Sequence, residues 1–335
     1  MFWVVTIHVA AVPTVHFEAI SRRWWGWALG YNSVSRAAVP LFLMLSGALL
    51  LTRAPWDSGE FFRKRALKLL PPLIAWTLLY IGWRVALRGD HFTATDVARH
   101  LLNGGQYPAY PHLWFLWIIF ALYLLAPLLR PLAVHGSLQL HLYLAGLWWI
   151  AVGLLPTVAR VAQLPIDLSV HPLFGFIGYF VLGASIHRFV PEGLPSRWVA
   201  VVGASFLGAA LITAVGTAWR TLEVRAIDES FLEPIAGNVM IMSVAAFLLI
   251  RHAATAVRDH GKAPALLAFA GTLSFGIYLV HPMIIDVFDS LGLHIDPLPF
   301  HPGWYVPFLS VAVFLGSAAV AAALRKTRVL AWLVP

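Results

Sequence analysis

The chain contains no cysteine. Disulfide frameworks, thiolate metal sites and cysteine nucleophiles are thereby excluded, and the composition carries no report of a redox compartment. Charge is also scarce, at 11% of 335 residues, and acids are the scarcer sign, 15 against 23 Lys and Arg. Neither a Gly-rich phosphate loop nor a dinucleotide fingerprint occurs, so any grip on a phosphate must come from side chains. The 14 histidines include no HxxxH or HExxH pair. His8 and His16 are separated by Pro13 and have no acid stacked beside them, so no metal site is expected. What the chain does have is apolar mass: 60% hydrophobic residues, 15 Trp and a mean hydropathy of +0.79, the profile of a bilayer-embedded protein. In a soluble protein a net charge of +8 would suggest nucleic acid. Here the cations sit between apolar runs, as anchors at a lipid surface do, so membrane lipids and not nucleic acid are the expected partner.

A hydrocarbon core of about 30 Å needs about 20 apolar residues per helix. About ten such runs occur, near residues 1–15, 37–53, 69–87, 112–134, 140–159, 171–187, 197–218, 235–250, 264–288 and 303–324. The segments after the even-numbered runs, together with the carboxyl end, hold 14 of the 23 cations but only 4 of the 15 acids. Arg258, Asp259 and Lys262 belong to that count, and all four lysines fall on the same face. Because the cytoplasmic side retains Lys and Arg, the expectation is an all-α integral membrane protein with about ten transmembrane helices in one bundle, both termini cytoplasmic. No soluble-length insertion or repeat divides residues 1–335, so a single domain is expected. The first run starts at Met1 with no basic residue ahead of it and is short for a crossing, which predicts a first helix truncated at its amino end. It has neither the charged start nor the cleavage site of a signal peptide.

An ionisable group within a span costs roughly 2.5 to 3.5 kcal/mol on insertion scales, so each one needs a reason to be there. His8, in "VVTIHVAAV", and His281, in "GTLSFGIYLVHPMIID", are the two best placed for chemistry. Histidine is the usual general base near neutral pH, and it also serves as a neutral hydrogen-bonding group between helices. The stretch "FFRKRALKLLPP" places Arg63, Lys64, Arg65 and Lys68 just before the third run. Such a cluster anchors a loop to headgroups. Arg65 and Lys68, three apart, also project from one side of a helical turn and can grip phosphate together. In "NSVSRAAVPLFLMLSGALLL", Ser33 or Ser35 is placed to cap the second span, Arg36 to stand at its outer mouth, and Ser46–Gly47 to lie deep in the membrane. Asp286 is five residues beyond His281, off the helical face needed for a His–Asp pair.

Taken in order, "IH" at His8, "NSVSRAAVPLFLMLSGALL", "RALKLLPP", "HLWFLWIIFALYLLAPLL" and "SFGIYLVHP" resemble the acyltransferase-3 family of multi-span membrane acyltransferases, and within it the O-acetyltransferase branch that modifies enterobacterial common antigen. None of the segments is specific alone; their order and spacing are. The resemblance implies transfer of an acyl group, expected to be acetyl, from cytoplasmic acyl-CoA to a hydroxyl of a cell-surface sugar or polysaccharide precursor, in a bacterial inner membrane. It implies His8 as the essential general base, with no permanently bound cofactor. It maps the family's arginine pair onto Arg65 and Lys68, where lysine keeps the charge but loses bidentate geometry; Arg63 belongs to the same phosphate-binding cluster. The family's basic residue about eleven positions before the histidine falls ahead of Met1. Arg36, Ser46 and His281 become candidates for oxyanion or acceptor contacts, His281 nearer the outer face. Direct transfer and an acyl-histidine intermediate both fit. Intramembrane histidines also suit a transporter or flippase, and the short amino end suits an inactive scaffold.

Overall fold

A computed structural model describes residues 1–53, 57–165, 167, 172–257, 261, 263–293 and 300–335. Arg258, Asp259 and Lys262 of the charge count lie outside them. Helix accounts for 80% of the structure, and no strand occurs among the described residues. The result is a polytopic helical bundle. Eight helical segments are long and apolar enough to cross a bilayer, and two shorter apolar helices, α1 (Phe2–Val15) and α9 (Pro172–Phe189), complete the ten segments expected.

The second of these segments is longer than the apolar pattern indicates. It begins at Arg22, as α2 (Arg22–Ser35), breaks at Arg36–Ala37 and continues as α3 (Ala38–Leu51). The polar residues that hide α2 from a hydropathy reading are bonded inside the bundle. Trp25 Nε1 donates to the Thr14 carbonyl at 2.9 Å, Asn32 Nδ2 to Thr14 Oγ1 at 3.2 Å, and Tyr31 Oη to the Gly303 carbonyl at 3.0 Å. Ser33 and Ser35 are therefore not caps but buried residues of α2. Ser21 caps that helix, its hydroxyl accepting from Trp24 N at 3.3 Å, while α3 starts at Ala37 with no side-chain cap.

The basic cluster is likewise not in a loop. The α4 helix (Ser58–Arg88) opens at Asp57, whose side chain accepts from Glu60 N at 2.7 Å, so Arg63, Lys64, Arg65 and Lys68 lie in its first turns. Its other end stops at Gly89, where φ of 69° requires the left-handed backbone that glycine adopts freely. Next come a short helix, α5 (Ala94–Leu102), with a Thr93–Asp96 capping box, then α6 (Trp114–His135). The following segment runs from α7 (Leu138–Trp148) through one wide π turn at Trp149–Leu154 into α8 (Leu155–Val161). Beyond α9 lie α10 (Ser196–Val224), α11 (Gly237–Val257), α12 (Ala263–Ser290) and α13 (Pro302–Lys326).

Two close approaches hold the centre. At the α3–α9 contact a methyl group added to Gly47 would overlap the carbonyl of Phe180, and one added to Gly183 would overlap that of Met44, so the two backbones touch directly. Small residues serve this way in lipid, where no hydrophobic force presses helices together. Tryptophan supplies the second device, an indole N–H that reaches a carbonyl of a neighbouring segment. Trp76 bonds Leu333 at 2.9 Å, Trp148 bonds Gly175 at 3.0 Å and Trp149 bonds Gly237 at 3.0 Å. Leu, Ile and Phe side chains such as Leu207, Leu211 and Phe308 are exposed on the perimeter, as a lipid-facing surface demands.

Candidate active site

A cavity of about 550 Å³ lies between α1, α3, α4, α6, α12 and α13. Of the residues singled out in the sequence it gathers His8, Ser46, Arg65 and Lys68, but not Arg63, Arg36 or His281. Its mouth carries cations. Arg65 and Lys68, one helical turn apart, line it together with Arg325 of α13. The Arg65 guanidinium lies over the rings of Phe61 and Tyr123, 5.6 Å and 5.5 Å from their centroids, which orients it without neutralising it. Lys68 is exposed and has no hydrogen bond or ion pair among the described residues. Arg63 is exposed and stands away from the cavity, and Lys64 is occupied by Glu60 at 2.7 Å.

At the inner end are His8, Ser46, His112 and Tyr278. His8 is half-buried on α1, and its ring makes no hydrogen bond among the described residues. Ser46 sits beside Gly47. That glycine turns one face of α3 to α9 while the serine faces the cavity, and the serine hydroxyl does not bond back to its own helix as Thr6 and Ser243 do.

His281 lies beside His8, with ring centroids 5.0 Å apart and planes tilted by 49°, so the two rings share one level of the bundle. The outer position expected for His281 is not where the structure puts it. The side chain is fully buried, its Nδ1 2.8 Å from the Tyr278 carbonyl and 3.1 Å from that of Ile277. The cause is local. Pro282 has no N–H to give the carbonyl of Tyr278 four residues back, and the adjacent imidazole supplies the missing donor. Carbonyls only accept, so Nδ1 carries the hydrogen and Nε2 is left as a bare acceptor, buried with no partner.

His112, the first residue of "HLWFLWIIFALYLLAPLL", has no role legible in the sequence. The residue follows Pro111 at the head of α6, 3% exposed, and neither ring nitrogen has a partner. Its ring centroid is 5.4 Å from that of His281, 5.0 Å from Tyr80 and 5.1 Å from Tyr278. The signal for it was position alone, an imidazole in the first turn of an apolar helix. Tyr80 then packs against Tyr110, centroids 4.5 Å apart and planes tilted by 33°, and the Tyr110 hydroxyl donates to Asp286 at 2.6 Å. Burial, and after it the Asp286 carboxylate, push the Tyr110 phenol well up. Asp286 also accepts from Trp83 Nε1 at 2.8 Å and from Arg88 at 3.4 Å, so it serves this aromatic cluster and not His281.

Arg36 is not at an outer mouth but at the α2–α3 break, inside the segment, with Nε donating to Asn32 Oδ1 at 2.8 Å. His8, Glu229 and Glu233 are within electrostatic reach of it. Burial pushes the Glu233 carboxyl up, and the Arg160 charge offsets part of that. Among the described residues no group of His, Asp and Glu is arranged to hold a metal ion.

Comparison with known proteins gives one finding. Residues 1–322 match a family model described as an acyltransferase domain. Neither the curated proteins nor the solved structures yield a match.

Proposed function

We propose, from the premise that this chain belongs to the acyltransferase family matched over residues 1–322, that this membrane acyltransferase is an O-acetyltransferase. It takes the acetyl group from acetyl-CoA on the cytoplasmic side and places it on a hydroxyl of a cell-surface glycan or lipid-linked sugar. The observation that carries the reading is the single cavity joining a cation pair at its mouth to a histidine at its inner end.

The coenzyme A phosphates rest on Arg65 and Lys68, with Arg63 adding to the local positive field, and the pantetheine arm lies along the apolar walls toward His8. His8 removes the proton from the acceptor hydroxyl as its oxygen attacks the thioester carbonyl. The tetrahedral intermediate collapses with loss of the thiolate, which takes the proton back from His8, so the products are the ester and free coenzyme A. Ser46 offers a hydroxyl donor to the oxyanion. Arg36 and His281, outside the cavity wall, act through their neighbours. The membrane is the bacterial inner membrane, and the family branch that modifies enterobacterial common antigen is the nearest expected parallel.

The test compares surface-glycan acetylation by mass spectrometry in cells carrying the wild-type protein or His8→Ala. A base of this kind supplies about 10² to 10⁴ in rate, so the variant should lose glycan acetylation while remaining in the membrane at wild-type level. Acetylation unchanged by the substitution ends the assignment.

A further inference from the structure

A neutral imidazole acting as base must present one bare nitrogen to the hydroxyl, so its other nitrogen carries the hydrogen. A buried N–H left without an acceptor costs roughly 1 to 3 kcal/mol, and more once the ring becomes cationic. The groups around His8 offer few acceptors. Arg36, within electrostatic reach, and Arg65 and Lys68, along the cavity, are donors only. Ser46 faces the cavity, where the substrate lies. No Asp or Glu side chain lines the cavity among the described residues, and Asp286 is held by Tyr110, Trp83 and Arg88. Two neighbouring rings carry bare, unpartnered nitrogens, His112 and His281, and of these His281 is the one in ring contact with His8, its centroid 5.0 Å away. No hydrogen bond joins the two rings as they stand, but the 5.0 Å spacing is close to that of two imidazoles linked by an N–H···N bond, so a small rotation of the His8 ring would form one.

We propose that His281 positions His8 by accepting its N–H at Nε2, in the place a carboxylate takes in other base-orienting pairs. The proposal rests on His8 being the base and gives His281 a role in orienting that base instead of contacting the sugar. Pro282 is part of the device. By freeing the Tyr278 carbonyl it fixes the His281 hydrogen on Nδ1, which turns Nε2 into an acceptor permanently. His8 is thereby held in the tautomer whose bare nitrogen faces the cavity. When His8 takes the proton, its N–H donates a stronger, charge-assisted bond to the same nitrogen.

The contrast between two amides tests this. In His281→Gln the amide reaches the Nε2 position and presents an oxygen acceptor there. In His281→Asn the shorter amide occupies the Nδ1 position, keeps a donor for the Tyr278 carbonyl and leaves the Nε2 position empty. Acetyl transfer from acetyl-CoA by the detergent-purified full chain should retain kcat within about fivefold in the Gln variant. In the Asn variant kcat should fall by at least about 30-fold, a part of what the base supplies, with KM for acetyl-CoA unchanged. Equal losses in both variants, at equal yields of folded protein, overturn the proposal in favour of a shape role, and so does full activity of the Asn variant. His8→Ala runs alongside. If that variant stays active, the base assignment itself has failed, an outcome distinct from failure of the His281 role.

Discussion

At one end of the bundle three arginines are tied down. Arg84 pairs with Asp90 at 2.7 Å, Arg88 reaches both Asp286 and the Tyr110 hydroxyl, and at the end of α10 a buried Arg220 bonds Glu223 at 2.6 Å and Asp228 at 3.4 Å. At the other end, around the cavity mouth, Arg65 meets only aromatic faces, and Lys68 has no ion partner among the described residues. The two ends teach where to look for a ligand. A cation paired within the fold has its field cancelled and acts as architecture. One left unpaired beside a cavity keeps its field for an anion that arrives from outside.

The sharpest way to break this contrast is to remove the free pair. Arg65→Ala with Lys68→Ala should weaken acetyl-CoA binding by at least about 100-fold, since each charge-assisted phosphate contact contributes roughly 1.5 to 3 kcal/mol, while the melting temperature in detergent barely moves. The loss should shrink as salt rises, because screening already weakens the wild-type contact. Calorimetric titration across a salt series reads both quantities, and a wild-type affinity in the double variant would refute the cation-mouth reading. At the opposite end the pattern should reverse. Asp286→Ala strands the Trp83 N–H and the Tyr110 hydroxyl and should destabilise the protein by about 2 kcal/mol, seen as a lower melting temperature, with acetyl-CoA affinity intact. The smallest effect sharpens the comparison. Lys64→Ala removes an exposed pair with Glu60 that water and salt screen, and should alter neither binding nor melting measurably. A binding loss comparable to that of the double variant would mean that the whole cluster, and not the cavity-lining pair, attracts the donor.

The apolar runs locate all ten segments because bilayer thickness dictates their length, and that is a property of composition. The reading fails where polarity inside a span is satisfied by a neighbour. Arg22, Asn32, Ser33 and Ser35 look like the loop ahead of a helix, and only Thr14 on α1 and the bundle interior explain why they can be helical. The basic cluster fails in the same way, since the Asp57 cap that draws Arg63 to Lys68 into α4 is a feature of three residues within an otherwise loop-like stretch. In the candidate site, the pairing of Arg65 with Lys68 on one side of a turn is legible from spacing, and Arg63 falls away for the same reason. His112 is not legible. It lies 169 positions from His281 in sequence, and only the meeting of α6 with α12 brings the two rings together. The Pro282 effect sits between these cases, because the four-residue offset to Tyr278 is written in the chain but matters only once residues 263–290 are known to be a continuous helix.

The rings of His281, His112, Tyr80, Tyr110 and Tyr278 are each no more than 8% exposed, and two of them, His112 and Tyr278, line the cavity. A bilayer holding 100 mV drives each unit charge with about 2.3 kcal/mol, so a continuous water thread through ten helices would short-circuit the cell's energy supply. His112 and Tyr278 give the cavity an aromatic wall, and the tightly packed rings behind them limit the water that can follow a substrate inward.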